Sequence, residues 1–323
     1  MLIESKKNNI EEVSFTEIIV PLDPEDTDQE KVLRKKMAEF FASSYDGRRA
    51  TYDRFVGLTP NVPSISFESV SVGSINGWWC KPPNVPTDRA ILYLHGGCYT
   101  LGTAAAYRGL GSQIASRTGI AVFVLNYPLA PEAKLPVAYE LTLDVIRWLL
   151  QQGFRQIAVA GDSAGGGLAL SSVANVTKCQ FSQGESFPDI AACVLFSPWT
   201  DLTLSGSTKA FDDPVISIDK LREDAMQYLG KFPADDSRAS PLFFIPARMP
   251  PVYIQVGSDE LLLDDSRRYA RRSLAAGNKV KLEVWQGMHH VFQMNTTELV
   301  SSRRALDCAC KFLTASFGGR HSG

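Results

Sequence analysis

The sequence predicts an α/β protein, with a mostly parallel sheet covered by helices on both faces and a helical part above it. Three observations predict this class. Near-continuous apolar runs alternate with helical stretches, the pattern of strands buried on both sides. Those runs stop at glycines or prolines, where a strand must give way to a loop. The chain has 323 residues, enough for one large domain with an accessory part.

Residues 1 to about 60 are polar and rich in charge, but QEKVLRKKMAEFFASSY sets Val32, Leu33, Met37, Phe40 and Phe41 at helical spacing. This predicts an amphipathic helix near 29–45. From residue 65 the period changes. ISFESVSV alternates and INGWWCKP follows a glycine, which predicts a hairpin. Strands and helices then take turns. RAILYLHGG, IAVFVLNYPLAP and QIAVAGDS read as strands, separated by the helices AYRGLGSQIASRTG and VAYELTLDVIRWLLQQG. The helix AGGGLALSSVANVTK follows, then the strands IAACVLFSPW, PPVYIQVGSDE and VKLEVWQG and a closing helix, RALDCACKFLTASF. Residues from about 201 to 240 break the alternation and read as an insertion above the sheet.

Composition excludes several functions. With 33 basic and 35 acidic side chains, a net charge of −2 gives no reason to expect nucleic acid or an anionic membrane as partner. No run of about 18 apolar residues predicts a membrane span, and MLIESKKNNIEEVSF lacks the apolar core of a secretion signal. Six irregularly spaced cysteines read as reduced thiols, so a cytoplasmic protein is expected. Cys308 and Cys310 form C-x-C rather than a zinc or redox pair. Four histidines, two of them adjacent, supply no spaced metal set, and no metal or cofactor is expected.

Residues 161–167 read GDSAGGG, a serine among four glycines where a strand ends and a helix begins. G-x-S-x-G in that context is the mark of a strained turn that exposes a nucleophile, with small neighbours because strand and helix pass close by. Ser163 is the candidate nucleophile, and the Ala164 amide lies in the first turn of the helix, where N–H groups are unpaired. A serine needs a base and an orienting acid, each on a loop after a later strand. Asp259 follows the strand PPVYIQVG, with Glu260 as a rival. Asp264 and Asp265 come a turn later and read as a solvated helix face. His289 and His290 follow the strand KLEVW, and only one of them can be the base, the other reading as a surface loop histidine. His95-Gly96-Gly97-Cys98 ends an earlier strand, where glycines let amides turn toward the same point as Ala164.

HGGCY, NYPLAPE, GDSAGGG, SPWTDLT, GSDELLLDDS and GMHHVF, in this order and spacing, resemble the bacterial branch of the hormone-sensitive-lipase-like α/β hydrolases. The resemblance runs from about residue 65 to 315. It implies an eight-stranded α/β-hydrolase core over residues 61–323, with a cap built from helices in 1–60 and from the insertion at about 201–240. It implies a serine carboxylesterase acting on short- to medium-chain esters, with a small-molecule ester as partner and a homodimer left open. The residues carried over are Ser163 as nucleophile, Asp259 as acid and His290 as base, the last because the family's histidine stands two residues before Phe292. The amides of Gly97, Cys98 and Ala164 would be the oxyanion donors. Lactone hydrolysis is an alternative of the same fold. A non-catalytic receptor is another, as in the plant gibberellin receptors, which resemble the family but lack its histidine.

Two positions depart from the family pattern. Cys98 stands where a third glycine is usual. It would be strained if φ there is positive, and two readings of its thiol stand side by side: acidified and reactive beside amides aimed at negative charge, or buried, inert and space-filling. Gly167 stands where Asn is frequent, with little effect expected on the chemistry. Tyr99 and Trp199 are the candidate substrate-binding aromatics, with core packing the alternative for each, while Tyr127 reads as structural.

Overall fold

In the computed structural model, residues 17–42, 47–182, 186–207 and 213–318 are described. The segment MLIESKKNNIEEVSF and the end of the amphipathic stretch, residues 43–45, lie outside them, as does part of the 201–240 insertion. The strands are β1 (Ile18–Val20), β2 (Ser66–Val72), β3 (Ile75–Lys81), β4 (Arg89–Leu94), β5 (Val122–Leu125), β6 (Gln156–Asp162), β7 (Asp189–Phe196), β8 (Val252–Gly257) and β9 (Val280–Trp285). The helices are α1 (Asp26–Ala42), α2 (Arg48–Val56), α3 (Arg108–Thr118), α4 (Val137–Gln151), α5 (Ser163–Ser182), α6 (Ile218–Leu229), α7 (Leu263–Ala275) and α8 (Val300–Gly318).

The strands form one sheet in the order β1-β9-β8-β7-β6-β4-β5-β3-β2. All neighbours are parallel except the β2–β3 hairpin, which joins antiparallel through β3 to β5. The expected hairpin and the six later strands are all present. The sheet has nine strands rather than eight, because β1 adds to the outer edge of β9, Ile18 opposite Glu283. Three residues with no alternation, two of them left exposed (Ile18 and Ile19), carry no period that a sequence pattern can detect.

The central strands read as continuous apolar runs because both faces are covered. Every residue of β5 and β8 is buried, and β4, β6 and β7 are buried beyond their first residue. β5 lies on one side of β4 and β6 on the other. The chain therefore reverses its winding at β4, and the loops after β4 and β6 diverge to open a crevice at the carboxyl ends of the strands. In α1, Leu33 and Met37 pack against Trp285, Met288, Phe292 and Leu299. Val32, expected on that face, is 49% exposed. Among the described residues, no helix is long and apolar enough to cross a membrane.

Candidate active site

The loops after β4, β6 and β9 meet at a pocket lined by Gly97, Cys98, Asp162, Ser163 and His290. Much of its remaining wall is apolar and comes from α1 (Phe41), α2 (Thr51, Tyr52, Phe55), α6 (Leu221) and the segment before it (Val215, Ile216), with the charged Arg48, Lys220 and Asp224 also lining it. Both regions that the sequence sets apart from the sheet thus border the site.

Ser163 sits at the strand-to-helix turn with φ 51°, a left-handed conformation that costs a non-glycine residue roughly 1–2 kcal/mol. Its neighbours must be small. A Cβ on Gly165 would lie 2.1 Å from the Leu94 carbonyl oxygen, so the helix cannot start here with a larger residue. Gly167 is equally constrained, since a Cβ there would stand 2.2 Å from the Trp199 carbonyl oxygen. The departure from Asn is therefore a packing requirement in this chain. Ser163, Cys98, Tyr99, Ser197 and Val291 are all non-glycine residues with positive φ. Such strain gathers where the surrounding structure enforces an unusual backbone.

The imidazole of His290 is buried, and its Nδ1 donates to Glu260 Oε1 at 3.1 Å. Glu260 has no exposed surface. Its other oxygen accepts the Ser197 hydroxyl at 2.6 Å and the Gly257 amide at 2.9 Å, so the whole carboxylate is satisfied. The Ser197 hydroxyl also receives the Val291 amide at 3.2 Å, tying the histidine loop to the same point. The carboxylate that meets His290 is therefore Glu260, and the expectation that Asp259 does so is corrected. Asp259 turns outward, its side chain 52% exposed beside Arg34, and it accepts the Ser258 hydroxyl at 2.6 Å. Consecutive residues of this loop point opposite ways, and the extra methylene of Glu260 spans the gap to His290.

Burial pulls the His290 pKa down, but the charge and hydrogen bond of Glu260, with the charges of Asp213 and Asp162, lift it above its ordinary value. With Nδ1–H fixed on the carboxylate, Nε2 is the nitrogen left to accept a proton. His289 is not a surface loop residue. It is fully buried, its Nδ1 donates to Glu30 Oε1 of α1 at 2.7 Å, and its Nε2 receives Asn295 Nδ2 at 2.9 Å. Both ring nitrogens are thereby occupied.

Gly97 (φ 110°) and Cys98 (φ 55°) carry the loop after β4. Among the described residues, no protein acceptor meets either amide, and the Ala164 amide lies in the first turn of α5, which has no intrahelical acceptor. The loop is anchored by Asp162, a residue the sequence reading passed over although it lies inside GDSAGGG. Its carboxylate accepts the Gly96 amide at 3.0 Å and the Tyr93 and Tyr107 hydroxyls at 2.8 and 2.9 Å. Burial pushes this carboxyl up to about 6 against those hydrogen bonds. His95 is buried, stacks on Tyr127 at 4.3 Å and is held neutral, since burial lowers its pKa to about 4. Tyr127, expected to be structural, donates its hydroxyl to the His95 carbonyl at 2.6 Å.

Two further expectations are corrected, and the structure separates the two readings of Cys98. Tyr99 and Trp199 have no exposed surface and belong to the core. Tyr99 stacks on Tyr228 at 3.8 Å between centroids, and the Trp199 indole donates to the Asp201 carbonyl, so neither borders the pocket. Asp265 is no solvated residue. It is buried, pairs with Arg268 at 3.0 Å and accepts the Thr200 and Asp201 amides, each at 2.9 Å. Cys98 is strained, as positive φ requires, but its thiol is not acidified. Burial first, and then the charge of Asp224, push its pKa well above the ordinary thiol value, partly opposed by Arg48. The thiolate is the nucleophile in alkylation, so iodoacetamide at pH 8 is expected to leave Cys98 unmodified in the folded protein. Peptide mass spectrometry checks this, and a carboxamidomethyl group on Cys98 that tracks loss of activity would reverse it.

Comparison with known proteins agrees with the fold. A family model described as the alpha/beta hydrolase fold matches residues 91–294. An acetyl-hydrolase of Streptomyces hygroscopicus is 35% identical over 276 residues, covering 84% of this chain and 90% of that protein. An esterase of Acinetobacter venetianus is 33% identical over 273 residues, covering 83% and 88%. Among solved structures, an esterase from the bacterial hormone-sensitive lipase family superposes with a TM-score of 0.83 at 34% identity, covering 90% of this chain and 99% of that one.

Proposed function

The chain belongs to the bacterial hormone-sensitive lipase family of α/β-hydrolase-fold proteins, and from that premise we propose that it is a serine esterase that cleaves short-chain carboxylic esters through an acyl-enzyme. The observation that carries the reading is the buried His290–Glu260 pair, 3.1 Å apart, in one pocket with the left-handed Ser163.

The Ser163 hydroxyl attacks the ester carbonyl while His290 Nε2 takes its proton. Glu260 fixes the tautomer and stabilises the imidazolium that forms. The amides of Gly97, Cys98 and Ala164 receive the developing oxyanion, each worth about 3 kcal/mol of barrier. Nε2 then protonates the leaving alcohol, and water repeats the sequence on the acyl-enzyme to release the acid and restore Ser163. Helices α1, α2 and α6 form the cap, whose apolar wall excludes water from the reacting atoms. The short acyl preference is supported by the acetyl-hydrolase relative and by the bulk of Phe41, Phe55 and Leu101 in the pocket. Rates on p-nitrophenyl acetate, butyrate, octanoate and laurate test it, with kcat/KM falling beyond butyrate as the expected order.

The pH dependence follows from His290. Only its neutral form accepts the serine proton, so activity is lost as pH falls through its pKa. That pKa is raised, so the acidic limb of kcat/KM is expected above about 6.5, the value of free histidine. In Glu260→Gln one raising charge is gone and the limb moves to lower pH. A limb that stays in place in that variant contradicts the assignment of Glu260.

A further inference from the structure

The loop that carries the Gly97 and Cys98 amides is strained, and it is held from outside the sheet. Cys98 and Tyr99 are consecutive left-handed residues, φ 55° and 64°, a conformation that L side chains adopt at a cost. Such a pair persists only where its surroundings over-determine it. Part of the restraint is local, since the Thr100 and Leu101 amides donate to the Gly97 carbonyl at 2.9 and 2.8 Å.

The rest comes from two helices remote in sequence. α6 presents Asp224 and Tyr228 one turn apart on one face. The Tyr228 ring lies flat on Tyr99, with 4° between planes. Asp224, with no exposed surface, accepts the Thr100 hydroxyl at 3.0 Å. α2 presents Arg48 and Arg49. Arg48 grips the Asp224 carboxylate through both terminal nitrogens, at 3.0 and 2.8 Å. Arg49 donates to the Thr100 carbonyl at 2.9 Å and to the Ala130 carbonyl at 2.8 Å, and the Ala130 amide in turn donates to the Tyr99 carbonyl at 2.9 Å. A buried carboxylate is tolerated only with its partner in place, so Asp224 keeps α6 seated only while α2 supplies Arg48.

We propose that Asp224 and Thr100 are positioning residues that, with Arg48, align the Gly97 and Cys98 amides for the oxyanion only when both α2 and α6 are docked. The inference rests on the reading of those amides as oxyanion donors. The Arg48–Asp224 pair borders the pocket, while the Thr100 hydroxyl that Asp224 accepts lies outside its lining, so Thr100 acts only through the loop. Misaligned donors lose more in the transition state than in the ground state, so the loss belongs to kcat and not to KM.

The test uses the full chain with Thr100→Val, Thr100→Ser and Asp224→Asn, p-nitrophenyl acetate as substrate, and a trifluoromethyl ketone as inhibitor. The ketone's adduct with a serine hydroxyl sets an anionic oxygen where the oxyanion forms. Thr100→Val removes the hydroxyl and leaves the Arg48–Asp224 pair intact. It is expected to lower kcat about tenfold to a hundredfold, to weaken the ketone in proportion, and to leave KM within about twofold. Thr100→Ser keeps the hydroxyl and restores the rate. Asp224→Asn is expected to lose at least as much as Thr100→Val. A folded Thr100→Val with wild-type kcat and ketone affinity overturns the inference, as does a loss carried by KM with the ketone unaffected. Ser163→Ala, run beside them, separates the two levels. If it is inactive while Thr100→Val is unimpaired, only this inference fails. If it is fully active, the reading of the site fails and the inference with it.

Discussion

Replacing Glu260 by glutamine is expected to lower kcat for ester hydrolysis by about three to four orders of magnitude, the cost of losing a carboxylate that holds a catalytic imidazole in its working tautomer. Asp259→Asn is expected to leave kcat within a few-fold of wild type, because that side chain is half exposed and contacts Ser258 and Arg34 rather than His290. The contrast is sharp because the two residues are adjacent and chemically alike, so a general effect on the loop would strike both. Glutamine keeps the shape of Glu260 and can still meet the Ser197 hydroxyl and the Gly257 amide through its carbonyl oxygen. Circular dichroism should therefore remain that of the folded protein. Steady-state rates on p-nitrophenyl butyrate read both variants, and the reverse order of losses would restore Asp259 as the acid.

Ser163→Ala is expected to have the largest effect of any single change, about six orders of magnitude in kcat. The alanine adds no atoms to a turn that already excludes larger neighbours at Gly165, so the fold is expected to survive. Residual turnover near the wild-type rate would remove the nucleophile from the account.

Much of the site is legible in the sequence because chain order and local spacing determine it. GDSAGGG, after an apolar strand and before a helix, places Ser163 and Ala164, and the glycines of HGGC place the amide-bearing loop. The choice between Asp259 and Glu260 is not legible in the same way. Both follow the same strand, and which one turns inward depends on Ser197 and the Gly257 amide, partners brought together only by the folded sheet. His289 hides for a similar reason. Its partner Glu30 lies 259 positions away on α1. Tyr99 and Trp199 stand beside motif residues, but their side chains point into the core, which adjacency in sequence does not report. Cys98 shows the limit of local electrostatics. Amides aimed at an anion argue for an acidic thiol, yet burial and the Asp224 carboxylate outweigh them. The ninth strand escapes notice because β1 is three residues long and contributes no alternating face.

Covalent capture by an organophosphate reads whether Ser163 is the nucleophile of a Ser163–His290–Glu260 triad. Diethyl p-nitrophenyl phosphate phosphorylates an activated serine and releases p-nitrophenol. One equivalent should be released per chain, with one diethylphosphoryl group on the peptide containing Ser163, no label in Ser163→Ala and much slower labelling in Glu260→Gln. Labelling of another residue, or of Ser163 at an undiminished rate in Glu260→Gln, would contradict it.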